Sequence, residues 1–271
     1  MNAIPSNVWI PYIVALIFCS VGFYKFVWFL SVGYGLAVSA LGVCYFVMYR
    51  NALTPATIVL CILMLIYGLR LSLFLIVREF KNASYKKTLK EAGGEAKMPF
   101  PVLLVMWLLL GVLYVVQTSP VLFRMYNNNV LRVALHDSPV VWVGTAISAC
   151  AIMIEALADY QKTQTKKANP KAFACTGLYK IVRCPNYFGE TLFWFGLLVS
   201  SFETLRGAQW GFAIAGYIMI VYIMLNGARR LEKRQAKSYG SDPKFQEYVK
   251  KTPIIFPLIP IKSLEKWRFL G

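Results

Sequence analysis

Long apolar runs constrain this chain more than any other feature of its sequence. Seven runs of low charge each extend over roughly 17–25 residues, the length of helix that crosses the hydrocarbon core of a bilayer. They cover residues 8–24, 26–48, 56–77, 100–123, 138–158, 186–202 and 209–227. The pattern predicts an all-α, polytopic membrane protein with about seven transmembrane helices, and the first two form a tight hairpin around Lys25.

The composition supports one integral membrane domain over residues 1–271. Hydrophobic residues make up 58% of the chain and the mean hydropathy is +0.55, a value that soluble domains rarely reach. No repeat or linker divides the sequence. The first residues lack a basic segment, so we expect no cleaved signal peptide.

The formal net charge of +17 is distributed unevenly along the chain. With seven spans, most of the 29 basic residues lie after spans 1, 3 and 5 and in the C-terminal tail. By the positive-inside rule we expect an outside N-terminus and a cytosolic C-terminus, in a bacterial inner membrane or the endoplasmic reticulum. The basic residues flank spans, which suits membrane lipids or a phosphorylated cofactor and argues against nucleic acid.

Cysteine and histidine usage argues against a metal site. Most of the six cysteines lie in apolar runs, no C-x-x-C spacing occurs, and His136 is the only histidine. We therefore expect no zinc or haem centre. The glycosylation motif at Asn82 falls on the predicted cytosolic side, so we expect no glycan there.

Arg70 is an ionisable residue within the third apolar run, where such a residue costs roughly 2.5–3.5 kcal/mol on insertion scales. Tyr67 precedes it by one helical turn and shares its face. Two interpretations are open: a structural arginine paired with carbonyls or an acid, and a contact for an anionic group inside the bundle.

A polar stripe ends the fifth run. Its members lie at spacings of four, three and four residues, and they are Glu155, Asp159, Lys162 and Lys166. One interpretation is a solvated helix end with internal ion pairs. The other is a binding surface, because the two acids come first, at membrane depth, where they can accept hydrogen bonds from ligand hydroxyls.

Residues 177–190, GLYKIVRCPNYFGE, place a second polar cluster at the start of the sixth run. The proline suits the first turn of a helix, so Asn186 and Glu190 lie on one face with Arg183 just outside. Cations at the mouth, a helix N-terminus and deeper polar groups suit a ligand with a charged end. A helix cap with contacts to a neighbouring helix is the alternative. Hydroxyl donors in the cluster are Tyr179 and Tyr187.

The last run leads into a basic segment and then into an apolar tail. Arg230, Glu232 and Tyr239 continue the basic mouth. The following YVKKTPIIFPLIP contains three prolines, which forbid a regular spanning helix. We expect a short segment that packs back against the bundle and closes a cavity.

These motifs resemble the steroid 5α-reductase C-terminal superfamily, and most closely its DUF1295 branch. The branch elements D-x-Q-K and G-L-W-x-x-x-R-H-P-N-Y-x-G-E read Asp159–Lys162 and Gly177–Glu190 here. The element E-x-R…Y-G…Y…R-T-P reads Glu232–Arg234, Tyr239, Gly240, Tyr248, Thr252 and Pro253. The resemblance covers most of the chain from Tyr67 onward and is densest over residues 155–260.

The resemblance implies NADPH bound on the cytosolic side by the part at about 138–271. By position, Asp159, Lys166, Asn186 and Glu190 match cofactor-binding residues of the reductases. Tyr67 in YGLR corresponds to a donor to the substrate carbonyl, with Arg70 beside it. The full set expected around the cofactor is Glu155, Asp159, Lys162, Lys166, Tyr179, Arg183, Asn186, Tyr187, Glu190, Arg230, Glu232 and Tyr239.

Two departures from the family pattern bear on the substrate. The usual histidine before Pro-Asn-Tyr is Cys184 here, so no role of that histidine carries over. The steroid reductases also use a glutamate in the second span, whereas residues 26–48 contain no acid. A 3-keto-4-ene steroid is therefore doubtful as the substrate.

Three functions remain open from the sequence. The leading one is NADPH-dependent reduction of a carbon–carbon double bond in a lipophilic steroid-, sterol- or long-chain enone-like substrate. The alternative is an S-adenosylmethionine-dependent methyltransferase of a lipid or prenylated substrate, because such enzymes share a similar R-H-P-x-Y-x-G…E end. A non-catalytic lipid-binding protein would bind no cofactor.

Overall fold

The computed structural model describes residues 4–81, 98–131 and 137–270, and their regular structure is helical throughout. The predictions for Asn82 and His136 lie outside the described residues. The α-helices of the described part are α1 (Trp9–Cys19), α2 (Val32–Met48), α3 (Pro55–Lys81), α4 (Phe100–Leu131), α5 (Pro139–Ala168), α6 (Pro185–Val199), α7 (Gln209–Tyr239) and α8 (Pro243–Lys251).

Five of these helical stretches, among the described residues, are long and apolar enough to cross a membrane. They are Phe26–Met48, Pro55–Lys81, Phe100–Val130, Pro139–Ala168 and Gln209–Tyr239. The first apolar run forms only a shorter helix, Trp9–Phe23, and α6 has 15 residues. The predicted count of seven is therefore not confirmed, while an all-helical fold compatible with an integral membrane protein is.

Several helices continue beyond the apolar runs that predicted them. α5 begins one residue into the run at 138–158 and continues past it to Ala168, and the run at 209–227 lies within α7, which ends at Tyr239. Hydropathy marks where a helix leaves lipid, whereas the helix itself ends only where its backbone hydrogen bonding stops. The polar stripe of α5 is therefore helical over its whole length.

The chain divides into two compact units. The first consists of Met1–Thr145 with Leu197–Gly216, and the second of Ala146–Gly196 with Tyr217–Gly271. Tyr67 and Arg70, the predicted catalytic pair, belong to the first unit. All twelve residues predicted around the cofactor belong to the second.

Glycines let α2 and α3 pack at close range in the first unit. A methyl group on Gly68 would overlap the carbonyl oxygen of Gly35 and the hydroxyl of Ser39. Ser39 Oγ donates to the Leu65 carbonyl at 3.0 Å, so a side-chain hydrogen bond joins the helices at the same level. Small residues at such a crossing are typical of membrane helices, where packing rather than water drives association.

We expect Gly68→Ala to lower the melting temperature of the detergent-solubilised protein, because overpacking a close crossing costs about 1–3 kcal/mol. Gly211→Ala on α7 is the matched control, since a methyl group there meets nothing within 4 Å. The control should be neutral or slightly stabilising, because alanine is the better helix former. Equal melting temperatures for the two variants would contradict the close crossing.

The predicted hairpin around Lys25 is held by a contact to the end of α3. Lys25 Nζ pairs with Glu79, and the indole Nε1 of Trp28 donates to the other carboxylate oxygen of Glu79 at 2.9 Å. One carboxylate thus satisfies two donors from the connection between α1 and α2. Both members of the ion pair are largely buried.

A second buried charge in the first unit is Arg124 on α4. Its Nη1 donates to the Ser200 carbonyl at 2.8 Å, and its Nη2 lies 3.7 Å from Asp137 Oδ1. The other oxygen of Asp137 accepts from the Ala56 backbone N–H at 2.7 Å, at the start of α3. The carboxylate thereby links the ends of two helices, as a buried charge requires partners.

Candidate functional site

The candidate site of the second unit forms where α6 begins. The backbone N–H of Arg183 donates to the Pro253 carbonyl at 2.9 Å, and that of Cys184 donates to the Ile254 carbonyl at 2.8 Å. The loop that enters α6 is thus paired with the C-terminal segment, defined here as residues 252–270. This agrees with the predicted packing of the apolar tail against the bundle.

Arg183 is buried rather than placed at an open mouth. Its Nη2 lies 3.0 Å from Glu232 Oε1, and the two side chains are 1% and 12% exposed. The same Nη2 donates to the Lys262 carbonyl, while Glu232 Oε2 accepts from the Leu264 N–H at 2.8 Å. The pair therefore fastens the start of α6, the end of α7 and the C-terminal segment to one another.

Arg229, which sequence reasoning missed, is the buried arginine of α7. Its Nε donates to the Leu264 carbonyl at 3.2 Å and its Nη2 to the Glu265 carbonyl at 3.3 Å. The predicted Arg230 is exposed. Arg229 and Arg230 are adjacent in the sequence, and only the position of the C-terminal segment determines which of the two is buried.

Two predicted acids are buried on facing helices. Glu155 on α5 and Glu190 on α6 are both almost fully enclosed. A methyl group on Gly189 would lie 2.5 Å from Glu155 Cγ, so the missing side chain permits the close approach of α5 and α6. Glu190 Oε1 accepts from the indole Nε1 of Trp194 at 3.0 Å. The acids thus lie at a tight helix crossing.

The remaining polar residues of the cluster are more accessible. Those that are partly buried are Asp159 and Lys162 on α5, Asn186 and Tyr187 on α6, and Glu232 on α7. Tyr187 lies against Gly227, where its ring would be 3.4 Å from an added methyl group. Accessible amide and carboxylate groups beside two buried acids give the cluster both ligand donors and ligand acceptors.

Lys166 and Tyr239, both predicted at the cofactor, contact each other. Lys166 Nζ donates to the Tyr239 hydroxyl at 2.6 Å and to the Pro170 carbonyl at 3.0 Å. Tyr239 belongs to an aromatic cluster in which Phe173 packs on Phe245 with 5.1 Å between ring centroids. A cation is therefore held at a defined position on this surface.

Tyr179 is buried and is hydrogen-bonded to two other helices, α5 and α8. Its hydroxyl donates to the Ala158 carbonyl at 3.3 Å, and its own carbonyl accepts from the Tyr248 hydroxyl at 2.7 Å. The turn before it needs glycine, because Gly177 has φ +60 and an added methyl group would meet Gln161. The tyrosine therefore has a structural contact in addition to any ligand role.

Cys184, which replaces the family histidine, is buried beside Ala228 and Ile254 in an apolar cluster. Burial raises the pKa of its thiol to about 12, although the neighbouring Arg183 and Lys162 lower it. A thiol with such a pKa stays protonated at neutral pH and is a poor nucleophile. Its environment is that of an apolar packing residue.

Tyr67 in the first unit is fully buried and bonded to a second tyrosine. Its hydroxyl donates to the Tyr34 hydroxyl at 3.1 Å, and Tyr34 packs on Tyr114 with 5.3 Å between ring centroids. Arg70 lies one turn further along α3 and is partly buried. Sequence reasoning missed Tyr34, although a tyrosine between Gly33 and Gly35 in an apolar run was a signal.

Among the described residues, no group of three or more histidine, cysteine, aspartate or glutamate side chains is arranged to hold a metal ion.

Comparison with known proteins gives a family and no named relative. No curated protein and no solved structure matches the chain. One family model, DUF1295, described as a protein of unknown function, matches residues 16–252. Because that match covers most of the 271 residues, the chain belongs to the DUF1295 family.

Proposed function

We propose that this protein is a membrane reductase that uses NADPH to reduce a carbon–carbon double bond in a lipophilic substrate. The observation that carries the proposal is the polar cluster of the second unit. It combines two acids that are buried within apolar parts of their helices with accessible amide and carboxylate groups and with cations on its surface. Buried ionisable groups in a membrane protein are costly and mark functional sites.

The donor set fits a phosphorylated dinucleotide. Lys162, Lys166 and Arg230 are the accessible cations for the phosphates, which Lys and Arg bind through charge-assisted hydrogen bonds. Asp159 and Asn186 would bind ribose hydroxyls or the nicotinamide amide, with Glu190 beneath them. Arg183 takes a positioning role in this proposal, because Glu232 and the Lys262 carbonyl already hold its Nη2.

NADPH would supply a hydride to the carbon β to a carbonyl, and negative charge would develop on the carbonyl oxygen as the enolate of the substrate forms. A proton from water would then add to the α carbon and give the saturated carbonyl compound. A preorganised hydroxyl donor in a water-poor site stabilises such an oxygen. We assign that donor to Tyr67, whose single O–H donates to Tyr34 in this structure and would turn to the substrate oxygen when substrate binds.

The residues of α2 bear on the substrate class. Residues 26–48 contain no acid, and Tyr34 is the polar group that α2 presents to Tyr67. A neutral phenol pair suits a simple ketone or thioester oxygen. We therefore favour a long-chain enone- or enoyl-like substrate over a 3-keto-4-ene steroid.

We also propose seven membrane crossings, with the N-terminus outside and the C-terminus cytosolic. A 15-residue helix is about 22 Å long, somewhat short of the ~30 Å core. The pairing of Arg183 with Pro253 nevertheless keeps the entry to α6 and the tail after α7 on one side. Because α7 is long enough to cross, this pairing supports a crossing by α6 as well.

An S-adenosylmethionine-dependent methyltransferase is the second candidate, and one observation favours it. The acids Glu155 and Glu190 could hold the amino group or sulfonium of that cofactor, which carries no phosphate. The surrounding excess of cations tilts the choice towards a phosphorylated cofactor.

We expect NADPH to raise the melting temperature of the detergent-solubilised protein, NADH to raise it less, and S-adenosylmethionine to raise it little. Ligand at 100 times its Kd stabilises by about 2.7 kcal/mol. Asn186→Ala and Asp159→Asn should remove most of the shift, and Lys166→Glu should remove the preference for NADPH over NADH. Each variant should keep the melting temperature of the ligand-free protein.

Glu247→Gln is the control, since Glu247 is an exposed acid on α8 whose variant should keep the full shift. If S-adenosylmethionine stabilises most, the methyltransferase is the better assignment. If none of the three stabilises, the protein is not an enzyme of either class, and a lipid-binding role takes their place.

A further inference from the structure

The C-terminal segment (residues 252–270) has one side that belongs to the core of the second unit. Ile254, Ile255, Leu264 and Leu270 are almost completely buried. They pack with Cys184 and Ala228 in one apolar cluster. The segment is therefore an ordered part of the unit.

The other side of the same segment exposes large apolar residues. Leu258 is 94% exposed, Phe269 66% and Ile259 47%. Leu258 follows Pro257 in a turn closed by the Ile259 N–H, which donates to the Phe256 carbonyl at 3.3 Å. An ordered turn that presents a leucine at its tip needs an apolar neighbour.

The neighbouring surface is the apolar face of α7. The hydroxyl of Tyr222 donates to the Phe269 carbonyl at 3.1 Å, which fixes the end of the segment beside this helix. On α7 the exposed residues near Tyr222 include Ile218 and Met219, on a helix long and apolar enough to cross a membrane. Phe269 therefore continues a surface that faces lipid.

The charges of the segment complement a lipid surface. Lys262 and Lys266 are exposed between the apolar tips, and Tyr222 adds an aromatic hydroxyl of the kind enriched at membrane interfaces. Basic groups beside a membrane helix attract anionic headgroups. A protein partner would have to match both the apolar tips and the lipid-facing side of α7.

We propose that the C-terminal segment is an interfacial anchor. Leu258, Ile259 and Phe269 insert at the boundary between headgroups and acyl chains, and Lys262 and Lys266 contact anionic headgroups. The carbonyls of Lys262 and Leu264 on the same segment hold Arg183 and Arg229. The bilayer surface thereby fixes the loop that enters α6. This anchor is independent of the cofactor proposed above.

The test uses the full chain in vesicles of phosphatidylcholine, with and without phosphatidylglycerol. Leu258→Cys and, as control, Lys250→Cys on α8 are each made with Cys44, Cys150 and Cys175 replaced by serine and labelled with an environment-sensitive fluorophore. We expect brominated lipid to quench the label at 258 several-fold more than the label at 250. Equal quenching at the two positions would overturn the anchor, and so would a disulfide-linked dimer through residue 258.

A second pair of variants tests the charges. Lys262→Glu with Lys266→Glu should lower quenching at 258 in vesicles that contain phosphatidylglycerol. In the labelled protein that keeps both lysines, high salt should reduce the difference in quenching between vesicles with and without phosphatidylglycerol. Lys250→Glu with Lys251→Glu on α8 should leave the quenching at 258 unchanged. Quenching that is the same with all variants and lipids would overturn the contact to anionic headgroups.

Discussion

Replacing Tyr67 with phenylalanine is expected to lower turnover by about 100-fold or more, because losing one donor to a developing oxyanion costs 10²–10³ in rate. The phenyl ring keeps the buried volume and removes only the hydroxyl that now bonds Tyr34. Stabilisation by NADPH should be unchanged. The measurement is NADPH oxidation with the enone that the wild-type protein reduces, alongside a melting curve.

Tyr114→Phe is the matched control, since Tyr114 is equally buried but its hydroxyl donates to the Phe29 carbonyl at 2.6 Å. Losing that hydrogen bond should cost about 1 kcal/mol of stability and leave turnover near normal. Full activity in Tyr67→Phe would show that this hydroxyl is not the donor. A parallel loss of NADPH stabilisation would instead assign Tyr67 to folding.

Arg183→Met is expected to cost about 3–5 kcal/mol of unfolding free energy, because removing one partner of a buried ion pair leaves the other charge uncompensated. Glu232 would still accept a hydrogen bond from the Leu264 N–H but would lose its cationic partner. The Lys262 carbonyl would also lose its donor. A large fall in the melting temperature of the detergent-solubilised protein measures this effect.

The double variant Arg183→Met with Glu232→Gln should recover much of the loss, since the amide oxygen of glutamine still accepts from Leu264. The surface pair Lys251 and Glu247 is the matched control, because its 2.6 Å contact is shorter but its side chains are 74% and 65% exposed. Lys251→Met should hardly move the melting temperature. If Lys251→Met lowers the melting temperature as much as Arg183→Met does, burial is not the reason that the Arg183–Glu232 pair is stabilising.

The helices could be predicted from the sequence because hydropathy and periodicity are local signals. The positions of the five described helices that are long and apolar enough to cross a membrane followed from runs of apolar residues, and the helical face that joins Glu155 to Lys166 followed from spacing alone. The C-terminal ends of α5 and α7 could not be predicted from hydropathy, because both helices continue as polar helices beyond their apolar runs. α1 and α6 are also shorter than the apolar runs that predicted them, because those runs include residues of the adjoining turns.

The pairing of distant groups could not be predicted. Arg183 looked like an open phosphate contact, but its partners Glu232 and Lys262 lie 49 and 79 residues away in the chain. Arg229 and Arg230 have the same chemistry and adjacent positions, so only tertiary packing separates the buried one from the exposed one. The sequence offered Tyr34 as a polar residue in an apolar run, but its pairing with Tyr67 could not be predicted, because Tyr67 is on another helix.

The backbone pairing of Arg183 and Cys184 with Pro253 and Ile254 has a consequence for biogenesis. These backbone partners are separated by about 70 residues, which a ribosome adds in roughly 4–14 s at 5–20 residues per second. Throughout that interval α6 and α7 are synthesised with the entry loop of α6 still unpaired. Nascent chains of this protein should therefore remain sensitive to protease at residues 177–184 until residue 254 has left the ribosome.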